Sequence, residues 1–206
     1  MNLPNRLTVA RVLMIPFILF FLLLDSWNLG EGAKAITWGV ALAFFVVAAV
    51  TDYIDGHIAR SRNLVTNFGR LMDPLADKLL AASCFVAFVE LHILPAWMVI
   101  IILLREFLVT GLRSLGVTQN RVIHADRWGK NKTITQLATI ITTMVLMCAR
   151  YVLIWGDQWK PLNKWAGPVD NYIYVVLYCL GLLCVFLTVA SGTLYVINNW
   201  DLMKDS

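Results

Sequence analysis

The chain has 206 residues, of which 59% are hydrophobic and 15% charged, with a mean hydropathy of +0.71. Ordinary globular domains are roughly 45–50% apolar, so the composition argues for one membrane-embedded domain over residues 1–206 and against a soluble fold. The net charge of +4 does not imply a nucleic-acid partner, because cytoplasmic loops of membrane proteins are enriched in Lys and Arg.

Six stretches approach the ~20 apolar residues that a bilayer crossing needs. The first runs from about Leu7 to Leu24, with Pro16 a candidate kink. No small-residue cleavage site follows it; Asp25-Ser26-Trp27-Asn28 does, so it reads as a retained span and not a cleaved leader. The second runs from about Ala35 to Arg60 and the third from about Gly69 to Val89. Pro95 introduces the fourth, about Ala96 to Leu115, where a missing N–H costs little. The fifth covers about Lys132 to Ile154 and the sixth about Tyr172 to Trp200. No strand alternation or heptad pattern competes, so the fold class is an all-α integral membrane protein with six transmembrane helices.

Trp27, Trp38, Trp97, Trp128, Trp155, Trp159, Trp165 and Trp200 all fall at or near the proposed span ends, where indole rings favour the membrane–water interface. Cys84, Cys148, Cys179 and Cys184 lie in apolar runs without metal-type spacing and read as free buried thiols. Eleven Lys and Arg, from Arg6 and Arg11 through Arg60, Arg70, Arg113 and Lys132 to Lys204, fall on one side of the spans. Only Lys34, Arg150, Lys160 and Lys164 fall on the other. That asymmetry places both termini in the cytoplasm.

Between the second and third spans lies the stretch richest in chemistry. Asp52 and Asp55 are three apart, and Asp73 and Asp77 four apart, so on helices each pair shares a face. Gly56 lets a ligand approach the backbone closely, and Arg60 carries a fixed charge suited to phosphate. A solvated loop is the bland alternative. Against it stand the helical spacing on both sides and the membrane-like flanks, because Asp at a membrane helix centre costs roughly 2.5–3.5 kcal/mol. Clustered carboxylates repel one another unless cations or bases neutralise them. Two such pairs can hold divalent cations through hard oxygen ligands, Mg²⁺ or Mn²⁺ before softer metals. The residues that come forward are Asp52, Asp55, Asp73 and Asp77, lining a polar, metal-containing cleft at the cytoplasmic side.

Written out, the stretch is D-x2-D-G-x2-A-R-x8-G-x3-D-x3-D, carried by Asp52, Asp55, Gly56, Ala59, Arg60, Gly69, Asp73 and Asp77. It resembles the signature of the CDP-alcohol phosphotransferase family at every fixed position, a far more specific match than a lone glycine pattern. The resemblance implies that Asp77 acts as the catalytic base, with a metal contact as well, and that Gly56, Ala59 and Arg60 hold the cytidine diphosphate portion. It also implies a homodimer.

A second basic set lies downstream. Arg105 sits inside an apolar run, and an intramembrane arginine is a functional-site hypothesis by default. Arg113 follows eight residues on, about two turns along one face. Lys130 and Lys132 open the fifth span. For Lys132 and Arg121 the functional reading and ordinary positive-inside charge stand level. The segments Asn5 to Arg11, Asp73 to Lys78, Arg105 to Arg113 and Gly129 to Thr133 resemble the phosphatidylglycerophosphate synthase branch of the same family. That branch implies transfer of a phosphatidyl group from CDP-diacylglycerol to glycerol 3-phosphate, giving phosphatidylglycerol phosphate and CMP, in a bacterial-type inner membrane. It assigns the acceptor phosphate to Arg105, Arg113 and Lys130, and sets Asn5, Thr8 and Arg11 beside the nucleotide or metal region. Gly116 to Gly129 reads as a lid-like loop, and His57 as a lining residue. Two alternatives remain open: a sister enzyme using inositol phosphate, serine or phosphatidylglycerol, and a cation transporter, which would spread its carboxylates across the membrane depth.

Overall fold

The structure is a computed structural model and describes residues 3–27, 29–61, 67–118, 127–155 and 166–200. Within these, side chains are described except for 3–6, 52–74, 77, 115, 117–118, 127–128, 130 and 166–170. Six long helices account for the regular structure of the described residues: α1 Leu3–Leu23, α2 Glu31–Ser61, α3 Asn67–Glu90, α4 Ala96–Thr118, α5 Arg127–Trp155 and α6 Ala166–Asn198. A 3-10 turn, Leu24–Ser26, follows α1. Each expected span falls on one helix, and most helices extend a few residues beyond it because polar and charged residues continue the helical turns outside the apolar run.

Four stretches of the described residues are long and apolar enough to cross a membrane: Leu7–Ser26, Glu31–Thr51, Asn131–Trp155 and Asn171–Asn198. The apolar run of α4 is interrupted by Arg105, Glu106 and Arg113, and α3 carries Arg70, Asp73, Asp77 and Lys78. Outward faces of the bundle are apolar, with Leu13, Phe17 and Phe20 on α1, Leu104 and Phe107 on α4, and Leu183 and Phe186 on α6 all exposed. Apolar surface on this scale suits hydrocarbon and not water.

Neighbouring helices form a closed circuit: α1 packs on α2, α2 on α5, α5 on α6, α6 on α4, α4 on α3, and α3 back on α1. α3 also touches α5 across the middle. The core between them is filled by Trp38, Phe45, Phe85, Phe88, Met98, Ile140 and Met144, all essentially fully buried. Phe44 of α2 stacks on Phe17 and Phe21 of α1, with centroids 6.2 and 6.0 Å apart, inside the distance range that favours such pairs.

The α3–α4 turn is set by backbone geometry. His92 N–H donates to Val89 C=O at 3.0 Å and Ile93 N–H to Phe88 C=O at 2.9 Å, the paired bonds that close a helix in the Schellman manner. The residue between them must enter the left-handed region, and His92 does so at φ 57°, where glycine is usual.

At the α1–α2 turn the structure corrects one expectation. Trp38 is not a ring at the lipid interface but lies wholly inside the bundle, stacked on Phe88. Its indole N–H donates to Asp25 Oδ1 at 3.0 Å, so a carboxylate from the preceding turn supplies the partner that a buried indole needs. Trp27, Trp97, Trp155 and Trp200 are exposed at helix ends, as expected.

Candidate functional site

A short turn brings α2 back along α1, and Trp38 near the start of α2 stacks on Phe88 near the end of α3, so α3 runs back along α2 in turn. From the middle of α4 onward, Arg105 lies against Gly129 at the start of α5 and Gly192 near the end of α6, and Thr110 is bonded to Lys78 of α3, so these segments meet at one end of the bundle. This is where the charged residues gather. Asp52, Asp55, Gly56, Ala59 and Arg60 lie on the last turns of α2; Gly69, Asp73 and Asp77 lie on the first turns of α3. The backbone is helical through both sets. The side chains of these residues, and of Asn5 and Lys130, lie outside the described residues, as do Arg121 and most of the 116–129 loop.

α1 packs on both carboxylate-bearing helices. From its first turns Thr8 and Arg11 project into the interior, each 0% exposed. They are three residues apart and share a face. A charge buried to this depth is costly unless it is paired, and neither side chain is without a partner.

The basic cluster is built by α4, α5 and α6. The Arg105 side chain is only 12% exposed, and its Nη1 lies 3.5 Å from Glu106 Oε1. The same Glu106 oxygen forms an ion pair with Lys132 of α5, whose side chain is 3% exposed. The guanidinium lies beside the first turn of α5: a Cβ placed on Gly129 would stand 3.9 Å from Arg105 Nη2. Arg105 is thereby brought next to the backbone that carries Lys130. Arg113 lies exposed two turns further along α4. On the other flank Lys78 of α3 donates to Thr110 Oγ1, and Thr110 donates to the carbonyl of Glu106 at 2.6 Å. The helix that carries Asp73 and Asp77 is thus tied directly to the helix that carries Arg105.

Several members of this cluster were not assigned from sequence. Lys132 is buried and paired with Glu106, so it is not a solvated charge at the mouth of the span. Gln136 and Thr139 follow it one and two turns along α5, both buried. Thr188, Ser191 and Tyr195 form a matching buried polar row on α6. The signal was present as polar residues recurring every three or four positions within apolar runs, the pattern of one helix face. Arg105 Nε, Gln136 Nε2, Thr188 Oγ1 and Tyr195 Oη are buried with no hydrogen-bond partner among the described residues. Buried polar atoms left unpaired are costly, and these four lie along the seam between α4, α5 and α6.

A helical bundle with lipid-suited outer faces, four aspartates carried on two of its helices and a buried Arg–Glu–Lys cluster has the character of an integral membrane protein. Residues 1–197 match the sequence model of the CDP-alcohol phosphatidyltransferase family, and the chain belongs to that family. Its relatives include the CDP-diacylglycerol–glycerol-3-phosphate 3-phosphatidyltransferase of Bacillus subtilis (strain 168), 35% identical over 209 residues and covering 100% of this chain and 98% of that protein. The Rickettsia typhi protein of the same name is 34% identical, covering 94% of each chain. The probable phosphatidylglycerophosphate synthase of Mycobacterium tuberculosis (strain H37Rv) is 40% identical over 195 residues, covering 95% of this chain and 80% of that protein.

Proposed function

We propose that this protein transfers the phosphatidyl group of CDP-diacylglycerol to glycerol 3-phosphate, releasing CMP and forming phosphatidylglycerol phosphate. The observation that carries the reading is near-full-length similarity to relatives named for this reaction, joined to an intact aspartate motif on two helices.

All six helices cross the membrane in this reading, with both termini and the charged end of the bundle in the cytoplasm. The chain is a single domain, acts as a homodimer and resides in a bacterial-type inner membrane. Water-soluble glycerol 3-phosphate then reaches the site from the cytosol, while the acyl chains of the lipid substrate remain between helices.

Four carboxylates at helical spacing form a hard, all-oxygen donor set, which fits Mg²⁺ or Mn²⁺. Asp52, Asp55, Asp73 and Asp77 would hold the ions. When bound, such ions neutralise the pyrophosphate and stabilise the departing CMP. Gly56, with no side chain, and Ala59, with a small one, leave room for the cytidine diphosphate part, and Arg60, Asn5 and Thr8 contribute polar contacts to it. Arg105, Arg113 and Lys130 hold the phosphate of glycerol 3-phosphate; a guanidinium fork matches a phosphate in shape and charge. Asp77 accepts the proton of the attacking hydroxyl. The new bond joins that oxygen to the phosphorus attached to diacylglycerol, and the bond from the same phosphorus to the CMP oxygen breaks, its electron pair leaving with CMP.

The test is incorporation of labelled glycerol 3-phosphate into lipid by purified protein supplied with CDP-diacylglycerol and Mg²⁺ or Mn²⁺. Labelled phosphatidylglycerol phosphate is the expected product. Incorporation of inositol phosphate, serine or phosphatidylglycerol in its place would transfer the protein to a sister activity.

A further inference from the structure

Arg105 is a long side chain with many rotamers, yet its position is fixed from two directions. Its stem lies against α6. A Cβ on Gly192 would fall 2.9 Å from Arg105 Cγ, and 3.9 Å from both Cβ and Nε. Cγ is one bond from the helix-anchored Cβ and moves only by a change of χ1, so any larger residue at 192 forces either a new Arg105 rotamer or a wider gap between α4 and α6.

The head is held by Glu106. Adjacent residues on a helix do not naturally face each other, so the 3.5 Å approach of the Glu106 carboxylate to Arg105 Nη1 requires something to turn the carboxylate. Lys132, reaching across from α5, does so by pairing with the same oxygen. Buried ion pairs contribute little to stability against apolar replacements of the same shape, so this one is not explained by stability alone. Arg105 Nε, meanwhile, is buried without a partner among the described residues, and the hydroxyls of Thr188 and Tyr195, one turn to either side of Gly192, are in the same condition. The arrangement holds a cation still while leaving one of its donors unused.

We propose that Glu106, oriented by Lys132, and Gly192, through its missing side chain, are positioning residues that fix the Arg105 guanidinium where it meets the phosphate of the acceptor. The inference rests on the acceptor role given to Arg105 above and adds the residues that act through it.

Initial rates of the full-length protein in lipid–detergent micelles, with each substrate varied separately, test it. Glu106→Gln keeps the shape and removes the charge. It raises the KM for glycerol 3-phosphate about tenfold and leaves the KM for CDP-diacylglycerol within about twofold. Gly192→Ala acts in the same direction. In an Arg105→Ala background neither change shifts the acceptor KM further, because the side chain through which both act is gone. Equal shifts in both KM values, or a full Glu106→Gln effect without Arg105, would overturn the proposal. Should Gly192→Ala not fold, Glu106→Gln decides alone. If Arg105→Ala raises the acceptor KM and Glu106→Gln does not, the positioning inference fails and the acceptor site stands. If Arg105→Ala itself leaves that KM unchanged, the acceptor site fails first.

Discussion

Lys78 donates a hydrogen bond to Thr110, across the interface between α3 and α4. Lys78 directly follows Asp77, and Thr110 lies one turn beyond Glu106, to whose carbonyl it is bonded. The contact therefore joins the proposed base to the proposed acceptor site through two helix turns. Thr110→Val keeps the shape and removes the hydroxyl. Because the bond is exposed, the expected loss of stability is small, about 0.5–1 kcal/mol, and the larger effect is a several-fold drop in kcat as α3 and α4 lose their register. Thr110→Ser retains both bonds and behaves as the unmodified protein. Melting in detergent and kcat, measured side by side, check this; a valine variant with unchanged kcat would remove the contact from any account of catalysis.

At the opposite end of the bundle Asp25 has a purely structural task. It accepts from the buried indole of Trp38 at 3.0 Å and is hydrogen-bonded to Tyr151, joining the turn after α1 to α2 and α5. Lys34 and Arg150 both lie over the Tyr151 ring, at 5.6 and 5.0 Å. Asp25→Ala leaves a fully buried N–H without its acceptor and destabilises the protein by about 1–3 kcal/mol. Trp38 and Asp52 are separated by 14 residues of α2, about 21 Å along the axis, so activity per folded molecule should not change. A fall in kcat at full folding would show that the two ends are coupled.

Trp38 and Lys132 show where reading the sequence stops. The six helices were legible because their apolar runs are long and their breaks are marked by Pro95, by the Asp25–Asn28 turn and by clustered charge. The aspartate motif was legible because its spacing is helical and its residue types are costly in a membrane. Trp38 was misplaced because proximity to a span end was the only information available, and the partner that lets it be buried, Asp25, belongs to the preceding turn. Lys132 could not be assigned because a lysine at the mouth of a span has the same sequence appearance whether it faces solvent or pairs with Glu106. Only the packing of α5 on α6 and of α6 on α4 distinguishes the two. Gly192 carried no signal at all, because its importance lies in the side chain of Arg105, 87 positions away.

His92 closes α3 in the left-handed region at φ 57°. For a residue with a Cβ that conformation costs roughly 1 kcal/mol, and glycine removes the cost. The neighbouring contact that accompanies such a cap is in place, since Phe88 and Ile93 are both buried. His92→Gly is therefore expected to stabilise the protein by about 1 kcal/mol with activity unchanged, whereas His92→Val, branched at Cβ, destabilises it. The two variants should move the melting temperature in opposite directions; movement in the same direction would mean that the imidazole, and not the backbone, matters here.

Asp77 and the metal-binding aspartates should separate experimentally under the proposed mechanism. Asp77→Asn keeps the size and an oxygen donor but cannot take the proton of the acceptor hydroxyl. Loss of a general base lowers rate by about 10²–10⁴-fold, so turnover falls by that order while much of the affinity for CDP-diacylglycerol survives. Asp52→Asn and Asp73→Asn remove charge from the ion-holding set and should weaken nucleotide binding and turnover together, with partial recovery at high Mg²⁺ or Mn²⁺. Chelation of divalent ions should abolish activity in the unmodified protein, and either ion should restore it. Measuring CDP-diacylglycerol affinity and kcat for each variant across a metal titration makes the distinction. If Asp77→Asn loses affinity and turnover in equal proportion and is rescued by metal as Asp52→Asn is, then Asp77 serves the ions alone and the proton must go elsewhere.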